Sequence, residues 1–250
     1  MNLATPLTDE EIAWVKSNYP DLNILSERRG ITKIAGSLPV CAVITDDLPQ
    51  LFIVDPDTEQ QLKGIYINDS YDVEIVFDPN VGRLLPTVKE LGVRIRVFAE
   101  THGLSLADVH LFEDETCCLI LDVDVPLHFS EGFDIEYFFT NVLTRFFCGH
   151  SIFELNGTRP LGEYAHGAIG YLEWYLWLDV LTNEFGETLL NKLKMFSEIW
   201  PYLYILIYGE AGVSLSAPCL CRRGDPMINC HPPAFHGIRK LRSQISKDNM

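Results

Sequence analysis

Two groups of cysteine and histidine could do chemistry in this sequence. The first is His110-Leu-Phe-Glu-Asp-Glu-Thr-Cys-Cys118-Leu119, where a thiol follows a histidine by eight residues. The polar part predicts a hairpin-like loop, and Leu119-Ile-Leu-Asp-Val123 predicts an apolar strand directly after it. A loop thiol held against a rigid strand can act as a nucleophile, whereas a core thiol cannot. Attack of its thiolate on an activated carbonyl gives a thioester, from which an amine can take the acyl group. Strand alternation would turn Cys117 and Cys118 to opposite faces, so that one of them can face a cleft. The competing interpretation makes both cysteines small apolar residues at the start of a strand. Glu113, Asp114, Glu115, Asp122 and Asp124 disfavour a nearby thiolate. The same carboxylates could hold an incoming lysine, with Asp122 and Asp124 the candidates.

The second group is Cys219-x-Cys221-x8-Cys230-His231, three thiols and an imidazole within 13 residues. That is enough for a tetrahedral zinc site with every position filled by protein, hence structural rather than catalytic. So short a segment is not expected to bury a core, so metal binding would be what folds it, the alternative being an unstructured tail. The seven cysteines are odd in number and three of them crowd into the tail, which favours free thiols and a metal site over a disulfide framework. Cys41 and Cys148 read as buried. His110 and His166 are candidates for orienting or proton-transfer roles, although a hydrogen-bonded structural histidine is commoner. His102, His128 and His150 have no spacing partner and read as surface or core residues.

These groups need elements to position them. Thr8-Asp-Glu-Glu11 is a capping-box pattern before Ile12, Val15 and Tyr19, and predicts a helix over about residues 9–18. Strands are predicted at Leu38–Ile44, Leu51–Val54, Leu62–Ile67 and Tyr71–Phe77, the last with clear alternation, and turns at Asp46-Asp-Leu-Pro49 and Asn68-Asp-Ser70. A loop bearing Pro86 and a short extended piece follow. From about residue 131 the apolar spacing turns helical, with further helices near 167–181, 188–199 and 202–208. Tyr171, Trp174, Tyr175 and Trp177 read as core, and Ala211 to Pro218 as a linker.

Composition narrows the function. With 250 residues and 47% hydrophobic content, the chain is long enough for one large domain with small additions. A net charge of −16 argues against nucleic-acid binding, which needs a basic face. The tail is locally basic: Arg222, Arg223, Arg239, Lys240, Arg242 and Lys247 oppose Asp225 and Asp248, which suggests an exposed segment with its own contacts. The N-terminus does not read as a signal peptide. The longest apolar uncharged run, Ile199 to Gly209, has eleven residues and includes Pro201, too few to span a bilayer. A cytoplasmic protein without membrane contact is expected. No Gly-rich loop with a lysine marks an ATP site.

The order of these parts resembles the ubiquitin-conjugating-enzyme fold, an α+β architecture of N-terminal helix, four-stranded antiparallel meander, proline-bearing loop, active-site flap and C-terminal helices. The residues carrying the resemblance are Tyr71-Asp-Val-Glu-Ile-Val-Phe77, Leu85-Pro-Thr-Val-Lys-Glu90, His110, Cys118-Leu119 and Arg159-Pro-Leu-Gly-Glu-Tyr-Ala-His166-Gly167. They are most similar to the prokaryotic branch, over roughly residues 8–180. The resemblance selects Cys118 as the acyl carrier and implies catalytic roles for His110 and His166. The asparagine of the eukaryotic His-Pro-Asn motif is missing, because Leu111 and Phe112 follow His110, and flap backbone amides are the default oxyanion donors. The tail resembles the SEC-C zinc motif found at the end of bacterial SecA proteins, with Arg222-Arg-Gly224 where Gly-Ser-Gly is usual.

The implied domains are a core with the flap at 1–130, its helical C-terminal part at 131–212, and a zinc tail at 213–250. The combination is similar to conjugating-enzyme-like proteins of short-type CBASS anti-phage operons. It implies that Cys118 receives the C-terminal carboxylate of a cGAS-like cyclic-oligonucleotide synthase (a nucleotidyltransferase) and passes it to a lysine, regulating anti-phage signalling. An inactive docking module and a Cys-His hydrolase are the other readings. The sequence is compatible with a homodimer.

Overall fold

The computed structural model describes residues 3–27, 30–45, 51–53, 63–158, 163–179 and 182–248. The chain forms two compact units, Met1–Gly162 and Glu163–Met250. The one division thus falls at 162/163, rather than at the boundaries expected after residues 130 and 212.

The first unit opens with α1 (Asp9–Asn18), whose capping box forms as the sequence implies. The Thr8 hydroxyl accepts from the Glu11 amide, and the Glu11 carboxylate accepts from the Thr8 amide. Five strands follow: β1 (Leu22–Glu27), β2 (Thr32–Thr45), β3 (Leu51–Ile53), β4 (Gly64–Phe77) and β5 (Thr87–Glu90). All pairings between them are antiparallel. The order is β1-β2-β4-β5, with β3 pairing the far end of β2 on the β1 side. The expected turn at Asn68-Asp-Ser70 is overturned: these residues lie within β4, opposite Cys41, Val40 and Pro39 of β2. The other expected turn, at 46–49, lies outside the described residues.

Asp69 is the reason the strand runs straight through its polar triplet. Arg94 donates to both Asp69 carboxylate oxygens at 2.8 and 2.9 Å, and the Ser151 hydroxyl donates to it at 2.8 Å. Arg94 also holds Glu154 at 2.6 Å and lies over the Tyr71 ring, 4.7 Å from its centroid. Burial pushes the Asp69 carboxyl up, but the bonds from Arg94, Ser151 and the Ser70 amide outweigh it and leave the group below its ordinary value. This network joins β4 to α2 (Arg94–His102) and α5 (Thr144–Asn156).

The apolar face of the sheet, including Ile34, Tyr71, Val73, Ile75 and Phe77, is buried. Against it packs a helical run made of α4 (Ile135–Tyr137), a π-helical turn at Phe138–Leu143, and α5. The ring contacts Tyr71–Phe147 at 4.6 Å and Phe77–Phe138 at 6.3 Å tie the run to β4. Between β5 and the cysteine segment lies α2, which no sequence signal announced. It starts at Val93 in the left-handed region (φ 53°) and buries Ile95 and Ala99. The strand expected at 119–123 does not form. That segment instead turns into α3 (Val125–His128), with the Leu121 carbonyl accepting from the Asp124 and Val125 amides.

In the second unit, α6 (Gly167–Trp177), α7 (Asn183–Lys194) and α8 (Trp200–Tyr208) precede a loop, the short α9 (Met227–Cys230) and α10 (Pro232–Asp248). The exposed tail expected from composition is corrected here. Ala234, Phe235, Ile238 and Leu241 of α10 are buried, and Gly237 lets α10 close on the Leu172 carbonyl of α6, where a Cβ would sit 2.1 Å from the oxygen. Two of the basic residues cap helices within this unit. Lys240 donates to the Leu176 and Leu178 carbonyls, and Arg242 to those of Leu206 and Ile207. Trp174 and Tyr175 are core, as read from the sequence, whereas Trp177 is exposed.

Candidate functional site

The His110–Cys118 segment is a narrow hairpin. The Phe112 amide donates to the Thr116 carbonyl at 2.9 Å, and the Cys118 amide to the His110 carbonyl at 2.8 Å. The bridge Leu111↔Cys117 closes the hairpin, and the bridge Lys89↔Thr116, with the Cys117 amide donating to the Val88 carbonyl at 2.7 Å, lays it along β5 at the edge of the sheet. His110 and Glu115 take left-handed backbone angles, φ 53° and 63°, to make the turn. Cys117 enters the core and is 5% exposed, while Cys118 is half-buried at the hairpin edge. Burial, with Glu90 and Cys118 nearby, pushes the Cys117 thiol far above its ordinary value, so it stays protonated.

The acidic flank of the hairpin is largely neutralised. Arg83 donates to Asp114 at 2.9 Å and to the Thr116 hydroxyl at 2.6 Å, and its guanidinium lies over the Phe112 ring at 4.8 Å. Hydrogen bonds from the Thr116 hydroxyl and amide, with Arg83 and Lys89 nearby, hold the Asp114 carboxyl below its ordinary value. Arg96 of α2 pairs with Glu115 at 2.9 Å. Sequence reasoning missed Arg83 and Arg96. They stand 31 and 19 residues from their carboxylate partners, with no local pattern to link them. The flap amides expected as default oxyanion donors are already engaged. The amides of Glu115, Thr116, Cys117 and Cys118 all donate to protein acceptors already.

The remaining candidates divide. Asp122 is half-buried in the turn before α3. Asp124 accepts from His128 Nε2 at 3.3 Å, and His128 Nδ1 shares a 2.7 Å hydrogen bond with the Tyr137 hydroxyl. His128 therefore has partners that spacing did not suggest, and Asp124 is committed to it. His166 belongs to the second unit, at the N-cap of α6, and is half-buried. The segment before it is held by the buried Glu173, whose carboxylate accepts from the Ala165 amide at 2.7 Å. Gly170 leaves room for the Ala165 carbonyl. Residues 159–162 of the motif preceding His166 lie outside the described residues.

In the second unit Cys219, Cys221, Cys230 and His231 converge and could hold a metal ion, their ligand atoms all within 4.8 Å of one another. Cys219 Sγ lies 3.1 Å from His231 Nδ1, and Cys221 Sγ 3.4 Å from Cys230 Sγ. A tetrahedral zinc with bonds of about 2.3 Å to sulfur and about 2.0 Å to nitrogen sets neighbouring ligand atoms roughly 3.5–3.8 Å apart, so this donor set fits. The knuckle is built by backbone bonds. The Cys219 amide donates to the Asp225 carbonyl at 3.0 Å, and the Met227 amide to the Ala217 carbonyl at 2.8 Å. Arg222 (φ 59°) and Gly224 (φ 99°) make the tight return. The Tyr202 hydroxyl of α8 anchors the loop through the Pro218 carbonyl at 3.0 Å.

Among the described residues, no helix is long and apolar enough to cross a membrane. Comparison of the chain with protein-family models, curated proteins and solved structures finds no match.

Proposed function

We propose that this protein is a cysteine-dependent acyltransferase of the ubiquitin-conjugating type, acting in the cytoplasm, with Cys118 as its acyl carrier. The observation that carries this reading is the unequal placement of the paired thiols. Cys117 is buried and locked protonated, while Cys118 sits half-buried on a hairpin fastened to the sheet edge. A thiol so mounted is reachable by a carbonyl and cannot drift, because its amide and that of Cys117 are both hydrogen-bonded. The Cys118 thiolate attacks a pre-activated carbonyl at a partner's C-terminus, the leaving group departs, and a thioester forms. An acceptor amine then attacks the thioester and Cys118 leaves as thiolate.

His110, in the same hairpin, is the candidate for proton transfer, and Asp122 the candidate for holding the amine. The partner we propose is a cGAS-like cyclic-oligonucleotide synthase, whose modification would regulate anti-phage signalling. Cys219, Cys221, Cys230 and His231 are proposed to hold a structural zinc.

One observation favours a second reading, a non-catalytic docking module. The hairpin amides that would stabilise an oxyanion are already committed. Cys118→Ser separates the two. An oxyester to the synthase that hydroxylamine cleaves supports the transferase. Absence of any adduct in both the wild type and Cys118→Ser, with binding of the synthase intact in Cys118→Ala, would leave the docking reading alone.

A further inference from the structure

The Cys/His knuckle and the helix after it depend on different forces. Helix α10 is seated by Ala234, Phe235, Ile238 and Leu241, all buried, and by the Lys240 and Arg242 contacts to helix-end carbonyls. The Lys240 and Arg242 bonds go to carbonyls of Leu176, Leu178, Leu206 and Ile207, away from the four ligands in sequence. The second unit therefore has an apolar core of its own, unlike a small domain that the metal alone folds.

The four ligands are also unequal. Cys219 is buried, 4% exposed, beside His231, whereas Cys221 and Cys230 are half-buried with their sulfurs 3.4 Å apart. A disulfide needs the sulfurs at about 2.05 Å, so this pair is one small closure away from bonding. Cys221 sits on the return of the knuckle next to Arg222, whose left-handed backbone is an uncommon conformation for a residue with a side chain. Cys230 ends the single-turn α9. Both attachments are short local segments, each anchored by one buried neighbour, Leu220 and Met227.

We propose that the knuckle is a redox-releasable metal site, in which peroxide joins Cys221 to Cys230 and the metal leaves while the unit stays folded. This rests on the metal reading above. One thiolate of the pair attacks a peroxide oxygen and breaks the O–O bond, giving a sulfenic acid and a hydroxide that takes up a proton as water. The second thiolate attacks the sulfenic sulfur, forms the S–S bond and expels the hydroxyl, which leaves as a second water. The two sulfurs together lose two electrons, and the peroxide takes them. Two of the three anionic ligands are consumed, and Cys219 with His231 alone is too small a donor set to retain a tetrahedral ion. A thiol reductant reverses the S–S bond by exchange and restores the donor set.

The test uses the full-length protein. Metal content is measured first on the protein as purified, and hydrogen peroxide is then added with a chromophoric zinc chelator present. About one equivalent of zinc should appear in the chelator, matching the single site. A peptide pair joined through Cys221 and Cys230 should appear by mass spectrometry, and the helical circular dichroism should hold. Reductant and zinc should then restore the metal content. Zinc that stays bound while the half-buried thiols of Cys41 and Cys118 oxidise would overturn the inference and leave the metal reading standing. A disulfide made through Cys219, or loss of the helical signal together with the metal, would also overturn it. Protein that carries no zinc as purified and takes none up would overturn both.

Discussion

Two regions of this molecule place cysteines side by side and use them in opposite ways. In the hairpin, Cys117 and Cys118 are adjacent in sequence, yet the structure separates their environments, one thiol inside the core and the other at its edge. In the knuckle, Cys219, Cys221 and Cys230 are spread along the chain, yet backbone bonds gather their sulfurs into one cluster with His231. Adjacency in sequence thus separates environments where the backbone is extended, and spacing brings thiols together where the backbone turns. The supporting forces differ as well. Polar clamps brace the hairpin, and an apolar helix face steadies the unit that carries the knuckle.

Several changes would break or sharpen that contrast. The largest effect is expected in the second unit. Phe235→Ala removes a fully buried ring and should cost about 3–5 kcal/mol of stability by denaturant unfolding. Chelating the metal should cost clearly less. If chelation unfolds the unit as thoroughly as Phe235→Ala, the tail is metal-folded after all and the contrast fails.

In the first unit, Arg94→Ala strips Asp69 and Glu154 of their shared cation. The three side chains are 38%, 26% and 17% exposed, between surface and buried cases, so a loss of about 2 kcal/mol is expected. The same brace predicts the direction of pH dependence. Because the folded Asp69 carboxyl is held below its unfolded value, its contribution is fully present above about pH 4 and is lost as pH falls through the folded value. An acid-unfolding profile that Asp69→Asn leaves unchanged would show that this carboxylate is not part of the brace.

Arg83→Ala tests the hairpin directly. Its partner Asp114 is exposed while Thr116 is buried, so a loss of about 1 kcal/mol is expected, read as roughly fivefold faster hydrogen exchange at the Cys117 and Cys118 amides. Exchange at the knuckle amides should not change. The smallest expected change is a gain. Arg222→Gly relieves a left-handed residue at the cost of an exposed ion pair to Glu198, for a net stabilisation of up to about 1 kcal/mol in thermal melts of the metal-bound protein.

The capping box of α1 and the alternation of Tyr71 to Phe77 were legible because each is written within a few consecutive residues. The knuckle spacing was legible for the same reason, as was the hairpin around Cys118. The Asn68–Ser70 turn was misread because three polar residues in a row look the same whether they bend a chain or meet a distant arginine. Helix α2 was missed because it enters through a left-handed Val93 with no N-cap side chain. The tail was misread because its basic residues suggested solvent, while the apolar set at 234, 235, 238 and 241, spaced for one helix face, was overlooked.

The sequence alone determined the α+β content, the first helix and its cap, the best strand, and the residues able to form a metal site. Each depends on neighbours within one turn or one short loop. Only the tertiary structure decided which thiol is buried, which carboxylates are neutralised, and that α10 joins a core. Those outcomes depend on partners that stand tens of residues apart, such as Arg83 with Asp114, Arg94 with Glu154, and Gly237 with Leu172. Burial and ion pairing are set by what surrounds a residue in space, and nothing local in the chain specifies it.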